Sequence, residues 1–223
     1  ERILVTSGPT AEFIDPVRCI TNRSSGKMGY AIAKIARRRG AEVILITGQT
    51  HLPQPRNDIE VVEVVTACEM RDAVMEHYRA CTVIIKAAAV ADFKCSTENC
   101  NKIKKKGDES TMLLELTKNP DIIGELGMLK ENRILVGFAA ETENLLENAS
   151  EKLKKKNLDL IIANDVSKSD IGFGSDNNEV IIIEVSGKTR HVPIMSKEEI
   201  ANIIFDSIKK IIKKRKVVKD DWY

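Results

Sequence analysis

The sequence has few aromatic residues, no dominant sign of charge and no long apolar run. Tryptophan, tyrosine and phenylalanine make up 4% of the 223 residues, and the formal net charge is +2. Nucleic-acid binders need a basic surface and often stacking aromatics, so the composition argues against a nucleic-acid partner. No apolar run reaches the roughly 20 residues of a membrane-spanning helix, and no signal peptide precedes the first apolar segment. We therefore predict a protein with no membrane or nucleic-acid partner.

Cysteine and histidine are also scarce, with five and three residues. An odd, scattered set of cysteines is typical of a reducing compartment, and we predict a cytoplasmic protein. Cys95 and Cys100 lie close in sequence, but no histidine stands at a ligand spacing from them, so a zinc site has no support. The spacing also indicates no Ser-His-Asp or Cys-His catalytic arrangement.

What the sequence does contain is an alternation of Val- and Ile-rich runs with helical patterns. This alternation predicts an α/β fold: three Rossmann-like layers, with a mostly parallel sheet between helices and a late β-hairpin. We place strands at 2–6, 42–47, 59–64, 82–87, 111–116, 134–138, 160–163, 179–185 and 188–192. We place helices at 27–39, 67–78, 145–156 and 197–213, with a short one from Pro120.

The chain organisation predicts one domain over residues 1–212 and a polar C-terminal tail over 213–223. Residues 93–108 are polar and lysine-rich, which favours a mobile loop. The sequence starts at Glu1, directly on a predicted strand and without an initiator methionine, so we expect it to be cut from a longer protein.

The most informative segment is residues 21–29, which follows the first strand and its loop and opens a helix. Small hydroxyl residues, a glycine and a lysine at a helix start favour an anion, because free backbone N–H groups and the helix dipole point there. The segment is not a Walker A loop. That motif requires glycine where Thr21 stands and serine or threonine where Met28 stands. Ordinary NTPase chemistry is therefore not expected.

Two other functions common in this fold class are disfavoured. A nicotinamide enzyme needs G-x-G-x-x-G after the first strand, whereas the loop here is Ser7, Gly8, Pro9 and Thr10. Basic runs at 102–106, 152–156 and 209–216 could indicate nucleic acid, but no aromatic residues are interleaved with them. We interpret the last run as a solvated helix end and the first as functional, because it lies in a loop beside candidate phosphate-binding groups.

Seven short motifs, in order, resemble the signature of phosphopantothenate–cysteine ligase, the phosphopantothenoylcysteine synthetase of coenzyme A biosynthesis. They lie at 8–10 with 15–18, 22–29, 88–93, 102–105, 118–122, 137–142 and 164–166. Any one motif would be weak, but together they cover nearly the whole chain to about residue 212. In bacteria and archaea this enzyme is commonly fused behind a flavin-dependent decarboxylase, which agrees with the start at Glu1.

The resemblance implies a reaction and its partners. The bacterial type ligates 4′-phosphopantothenate to L-cysteine using CTP and Mg²⁺ through an acyl-cytidylate, giving 4′-phosphopantothenoylcysteine, CMP and pyrophosphate. Two alternatives remain open: the same ligation driven by ATP, and a non-catalytic nucleotide-binding subunit. The family is dimeric, and the segment 94–108 and the late hairpin are candidates for an interface or a lid. The resemblance assigns no Mg²⁺ ligands, so we expect the nucleotide phosphates to hold the metal.

The resemblance also assigns site residues. Asn22 corresponds to the asparagine that holds the acyl-cytidylate, and Lys102 to the lysine associated with forming it. Phe138 matches a residue flanking the base, and Lys152 and Lys156, four residues apart, match lysines that reach the triphosphate. Lys86 departs from the pattern, which leads us to expect a small or apolar residue. The full predicted nucleotide-binding set is Ser24, Ser25, Gly26, Lys27, Lys86, Ala87, Ala88, Asp92, Lys102, Asn119, Pro120, Asp121, Ile122, Phe138, Lys152 and Lys156.

Overall fold

The structure, a computed structural model, describes residues 1–55, 58–104, 111–165 and 174–220. Its strands are β1 (Arg2–Ser7), β2 (Ala11–Asp15), β3 (Arg18–Thr21), β4 (Glu42–Thr47), β5 (Glu60–Glu63), β6 (Val83–Lys86), β7 (Phe93–Cys95), β8 (Leu116–Lys118), β9 (Ile134–Glu141), β10 (Leu160–Asp165), β11 (Asn177–Glu184) and β12 (Thr189–Ser196). Its α-helices are α1 (Lys27–Arg38), α2 (Ala67–His77), α3 (Ile122–Met128), α4 (Leu145–Lys155) and α5 (Lys197–Asp220). Among these residues, no helix combines the length and apolar character needed to cross a bilayer.

The central sheet confirms the predicted fold class. Eight of the described strands form one sheet in the order β12-β11-β10-β9-β6-β1-β4-β5. The six strands from β10 to β5 are parallel, and β11 and β12 add the predicted antiparallel hairpin. Because the parallel strands are covered on both faces, they read as nearly continuous apolar runs, as in the fully buried Leu4 and Val5 of β1.

Helices cover both faces of the sheet and give it three layers. On one face Ile3 and Val5 pack with α1 and α5 through residues such as Ile32 and Ile204. On the other face Leu4 packs with α2, α3 and α4 through residues such as Met70. The alternation of side chains along each strand separates the two cores, since successive Cβ atoms point to opposite faces.

Helix α1 begins close against the end of β1. A methyl group at Gly29 would lie only 2.4 Å from Cβ of Ser7, so this position accepts no side chain without movement of the helix. The Ser7 hydroxyl donates a hydrogen bond to the Gly26 carbonyl at 2.9 Å. These two contacts fix the N-terminus of α1 at the carboxyl end of the first strand.

Three elements differ from the sequence-based expectations. The hairpin β2–β3 was missed, because the buried acids Glu12 and Asp15 interrupt its apolar pattern. The strand predicted at 111–116 was wrong in its bounds: β8 starts at Leu116 and pairs with β7, which lies inside the segment predicted as a loop. Residues 105–108 of that segment lie outside the described part of the chain.

The terminal helix α5 also continues beyond its predicted end at residue 213, to Asp220. The part of α5 beyond residue 213 is held by a buried ionic group centred on Asp159, just before β10. Asp159, 5% exposed, accepts hydrogen bonds from the Leu135 N–H at 2.9 Å and from the Arg215 guanidinium at 2.5 Å. It also pairs with the buried Lys130 ammonium at 3.0 Å. One carboxylate therefore ties α5 to β9 and to the loop before it.

We predict that Asp159→Asn lowers the free energy of unfolding by about 3 kcal/mol, because it leaves two cations without their shared carboxylate. Urea denaturation of the purified chain measures the loss. Asp206→Asn is the control, since Asp206 pairs with Arg39 at the surface of the same helix and exposed pairs contribute about 1 kcal/mol or less. Equal losses in both variants would contradict this role for Asp159.

Candidate functional site

The candidate site lies where the carboxyl ends of β1, β6, β9 and β10 meet at one edge of the sheet. A cavity of about 130 Å³ opens there, which we call the α1 cavity. Such an edge is the usual ligand position in open α/β sheets. Seven of the predicted nucleotide-binding residues line this cavity: Ser24, Ser25, Gly26, Lys27, Ala87, Ala88 and Phe138.

The N-terminus of α1 has the geometry of an anion site. Gly26, the N-cap, has φ of +77°, a left-handed conformation that glycine adopts without strain. Among the described residues no side chain caps this helix, and its first turn contains no acidic residue. The N–H groups of the first turn and the helix dipole therefore favour a phosphate or carboxylate.

Lys27 lines the same cavity but contacts protein groups. Its ammonium donates to the Gly174 carbonyl at 2.7 Å and to the Asp176 carboxylate at 2.8 Å. The hydrogen bond and charge of Lys27 lower the pKa of Asp176. A ligand phosphate at this position would compete with Asp176 for the lysine.

Sequence reasoning missed a second lysine in the cavity wall, Lys197 at the start of α5. It is 7% exposed, and its ammonium donates to the carbonyls of Ser175 and Asn177. Burial and then the positive charge of Lys27 lower its pKa. Nothing in the sequence around Lys197 distinguishes it from an ordinary helix start. Asn164, which lies in one of the resembling motifs, also lines the cavity and was not predicted as a site residue.

Asn22 lies beside the cavity, after β3. Its side-chain amide donates to the Ala89 carbonyl at 3.0 Å, and the side chain is otherwise exposed. This contact places the amide next to the small residues that follow β6. The structure therefore brings together the segments around residues 22 and 88, which are far apart in sequence.

Three lysines gather on the opposite face of the sheet edge; we call Lys86, Lys152 and Lys156 the α4 lysine cluster. Lys152 donates to the Phe138 carbonyl at 2.9 Å, and Lys156 forms an ion pair with Asp121. Burial, followed by the charge of Lys152, lowers the pKa of Lys86 to about 8. Burial likewise lowers the pKa of Lys152. The carboxylates of Asp92, Asp121 and Glu141 face this cluster, which the thickness of the sheet separates from the α1 cavity.

The segment before α3 carries the remaining predicted contacts. Asn119 donates to the carbonyl of Ala91 at 2.8 Å, and its Oδ1 is buried with no hydrogen-bond partner in the described part of the chain. Burial alone would raise the pKa of Asp121, but hydrogen bonds from Lys156 and the Gly124 N–H lower it. Pro120 is half-buried and Asp92 is exposed. The Ile122 side chain is 1% exposed in the core, so only its backbone can face a ligand.

Lys102 is exposed, and the next residue, Ile103, is held by Asp15 and Arg18 at the β2–β3 turn. Asp15, fully buried, accepts hydrogen bonds from the Arg18 guanidinium and, at 3.1 Å, from the Ile103 N–H. Arg18 in turn donates to the Ile103 carbonyl at 3.1 Å. The Arg18 hydrogen bond, with three backbone N–H groups, holds the pKa of Asp15 far below its usual value despite burial. Asp15 and Arg18 are thus positioning residues for the segment that carries Lys102.

The described residues contain no group of three or more histidine, cysteine or acidic side chains arranged to hold a metal ion. Mg²⁺ in nucleotide sites is commonly bound by phosphates and only one or two carboxylates. Asp92, exposed at the edge of the site, is a carboxylate that fits that mode.

Comparison with known proteins identifies a family that covers most of the chain. The family described as "DNA/pantothenate metabolism flavoprotein C-terminal domain" matches residues 1–212. The chain is 48% identical over 208 residues to the coenzyme A biosynthesis bifunctional protein CoaBC of Bacillus subtilis, covering 93% of this chain and 51% of that protein. The CoaBC of Escherichia coli K12 is 46% identical over 210 residues, covering 92% of this chain and 51% of that protein. The chain thus spans about half the length of these curated relatives.

A solved structure is similar over nearly the full length. The crystal structure of the C-terminal domain of a coenzyme A biosynthesis bifunctional protein CoaBC has a TM-score of 0.82 and 40% identity to this chain. The match covers 96% of both chains.

We predict that Asp15→Asn speeds hydrogen exchange of the Ile103 amide at least about tenfold, because a neutral side chain holds Arg18 and that N–H less strongly. Mass spectrometry of peptides over residues 100–104 measures the rate, and peptides from β9 report whether the whole fold loosens. Asp58→Asn, at an exposed pair with Arg37, is the matched control. Unchanged exchange at Ile103 would show that Asp15 does not hold this segment.

Proposed function

Because the chain belongs to the family of the DNA/pantothenate metabolism flavoprotein C-terminal domain, we propose that it joins 4′-phosphopantothenate to L-cysteine using CTP. The observation that carries the proposal is the α1 cavity, where the N-terminus of α1, the small residues after β6 and Phe138 face one space beside Asn22. The helix N-terminus matches a phosphate, and the Phe138 ring matches a flat base. The small residues after β6 let a nucleotide contact the protein backbone.

The reaction proceeds in two displacements. A carboxylate oxygen of phosphopantothenate attacks the α-phosphorus of CTP, and the bond from that phosphorus to the bridging oxygen breaks. Its electron pair leaves with pyrophosphate. The cysteine amine then attacks the acyl carbon, loses a proton and displaces CMP to form the amide.

Each proposed residue supplies a physical requirement of these steps. The Lys102 ammonium offsets charge that grows at the α-phosphate, and the Asn22 amide donates to the acyl-cytidylate without adding charge. The first turn of α1 binds a phosphate, and Phe138 covers the base. Bound Mg²⁺ would reduce the repulsion between the two polyanionic substrates, and Asp92 fits as its protein contact. Lys152 and Lys156 bind the triphosphate from the other face of the sheet edge.

Two alternatives concern the nucleotide and catalysis itself. The same ligation driven by ATP needs the same phosphate contacts and differs only at the base. A non-catalytic subunit would bind nucleotide and release no pyrophosphate; Asn22 and Lys102, at the positions of the catalytic pair, favour the enzyme.

The proposal extends to partners and setting. We propose a cytoplasmic homodimer, in a protein whose other half is a flavin-dependent decarboxylase. The curated relatives that are twice as long as this chain are bifunctional by name. A candidate dimer contact is the small-sheet surface, formed by exposed apolar residues of β2, β7 and β8: Phe13, Phe93 and Leu116.

We predict that pyrophosphate release requires both cysteine and phosphopantothenate, is faster with CTP than with ATP, and falls at least a thousandfold in Lys102→Gln, as expected for loss of a transition-state cation. A coupled pyrophosphate assay measures all three. Lys188→Gln, in the turn of the late hairpin, is the control. Nucleotide binding without pyrophosphate release would instead support the non-catalytic subunit, and near-normal turnover in Lys102→Gln would remove that residue from the mechanism.

We predict that Leu116→Glu converts the dimer to a monomer, because it places a charge in the apolar small-sheet surface. Light scattering during gel filtration measures the mass. Val185→Glu, at the exposed tip of the late hairpin, tests the other candidate interface and is expected to leave the dimer intact. A monomeric variant at Val185 with a dimeric one at Leu116 would move the interface to the hairpin.

A further inference from the structure

Lys86 is a half-buried cation whose ammonium has no hydrogen bond or ion pair within the described part of the chain. It ends β6, between Thr6 of β1 and Gly137 of β9 in the sheet register. Val83 and Ile85 of the same strand belong to the α1 and α5 core, so alternation points Lys86 to the face of α3 and α4. A methyl group at Gly137 would lie 2.7 Å from Cδ1 of Leu158, so Leu158 fills the space beside that glycine.

The groups that face Lys86 come from three places. Lys152 on α4 repels it, whereas Asp121 before α3 and Asp92 after β6 attract it. Asp121 is already paired with Lys156, and Asp92 is exposed. The neighbouring lysine Lys152 donates a hydrogen bond to the Phe138 carbonyl, and the charges of Glu141, Asp92 and Asp121 attract it. In the described part of the chain, no carboxylate forms an ion pair with Lys86 or Lys152. These two half-buried ammonium groups repel each other, and an anion bound to both would lower that free-energy cost.

We propose that the Lys86 side chain binds the β- and γ-phosphates of the nucleoside triphosphate, together with Lys152. This inference rests on the proposed function and deepens it. The resemblance leads us to expect a small or apolar residue at this position, so the contact adds to what the resemblance implies. It makes the α4 lysine cluster selective for the triphosphate over the monophosphate product, which lacks the two phosphates that Lys86 contacts.

The affinity for the triphosphate then depends on whether the Lys86 amine is protonated. The free chain holds the pKa of Lys86 at about 8, and a bound polyphosphate raises it by favouring the charged form. Below pH 8 the ammonium is present and binding is strong. As the pH rises above 8, the free chain loses the proton and triphosphate affinity falls by about tenfold between pH 7 and pH 9.

Isothermal titration with CTP, CMP, ATP and AMP at pH 7 and pH 9 tests the inference. We expect Lys86→Met to weaken triphosphate binding at least tenfold at pH 7, to change monophosphate binding less than threefold and to lose the extra fall at pH 9. Lys86→Arg, which stays charged, should keep strong binding at both pH values. Lys154→Met, at an exposed lysine on α4, is the control and should match the wild-type chain.

The outcomes separate the inference from the proposed function. Wild-type triphosphate affinity retained in Lys86→Met, or equal losses for triphosphate and monophosphate, would overturn the role of Lys86. A wild-type chain that binds neither CTP nor ATP would overturn the proposed function as well. Retained monophosphate binding shows that the Met variant is folded, and if that variant does not fold, an unchanged pH dependence in Lys86→Arg overturns the inference alone.

Discussion

The close approach of α1 to the end of β1 is the constraint on which the site depends. Gly29 lies against Ser7 with no room for a methyl group, and the Ser7 hydroxyl holds the Gly26 carbonyl. The helix N-terminus is thereby fixed at the sheet edge rather than above it. The small residues that follow β6 and the Phe138 side chain then complete one cavity around that N-terminus. An anion site of this kind is built from backbone position, with side chains adding charge at its rim.

The sheet divides the cations of the site into two groups. Lys27 and Lys197 lie on the α1 and α5 side, where Asp176 and backbone carbonyls already bind them. Lys86, Lys152 and Lys156 lie on the α3 and α4 side, where Lys156 pairs with Asp121 and Lys86 has no ion pair in the described part of the chain. The two sides are thus suited to different parts of one elongated ligand that crosses the carboxyl edge. Strand alternation places only Lys86, which points to the α3 and α4 side of the sheet. The other four lysines lie on, or at the end of, the helices that cover each face.

The sequence predicted the sheet and its covering helices well, because strands buried on both faces carry an unmistakable apolar signal. It missed β2–β3 for the opposite reason: Glu12 and Asp15 are buried acids, and their partners, the Ala67 and Ile103 N–H groups, come from distant segments. Local motifs placed Ser24 to Lys27, Ala87 and Phe138 at one site. They could not show that Lys27 is paired with Asp176, that Lys197 faces the same cavity, or that Lys86 has no ion pair among the described residues. Those facts depend on contacts between residues up to 149 positions apart.

The hydrogen bonds around Ile103 have a geometric consequence for Lys102. Consecutive Cα atoms are about 3.8 Å apart, so while Asp15 and Arg18 hold Ile103, the backbone of Lys102 can pivot only within that radius. Its ammonium explores space mainly through rotation of its own four-carbon side chain. The ligand must therefore bind within reach of the lysine side chain, and the turn between β2 and β3 fixes where that is.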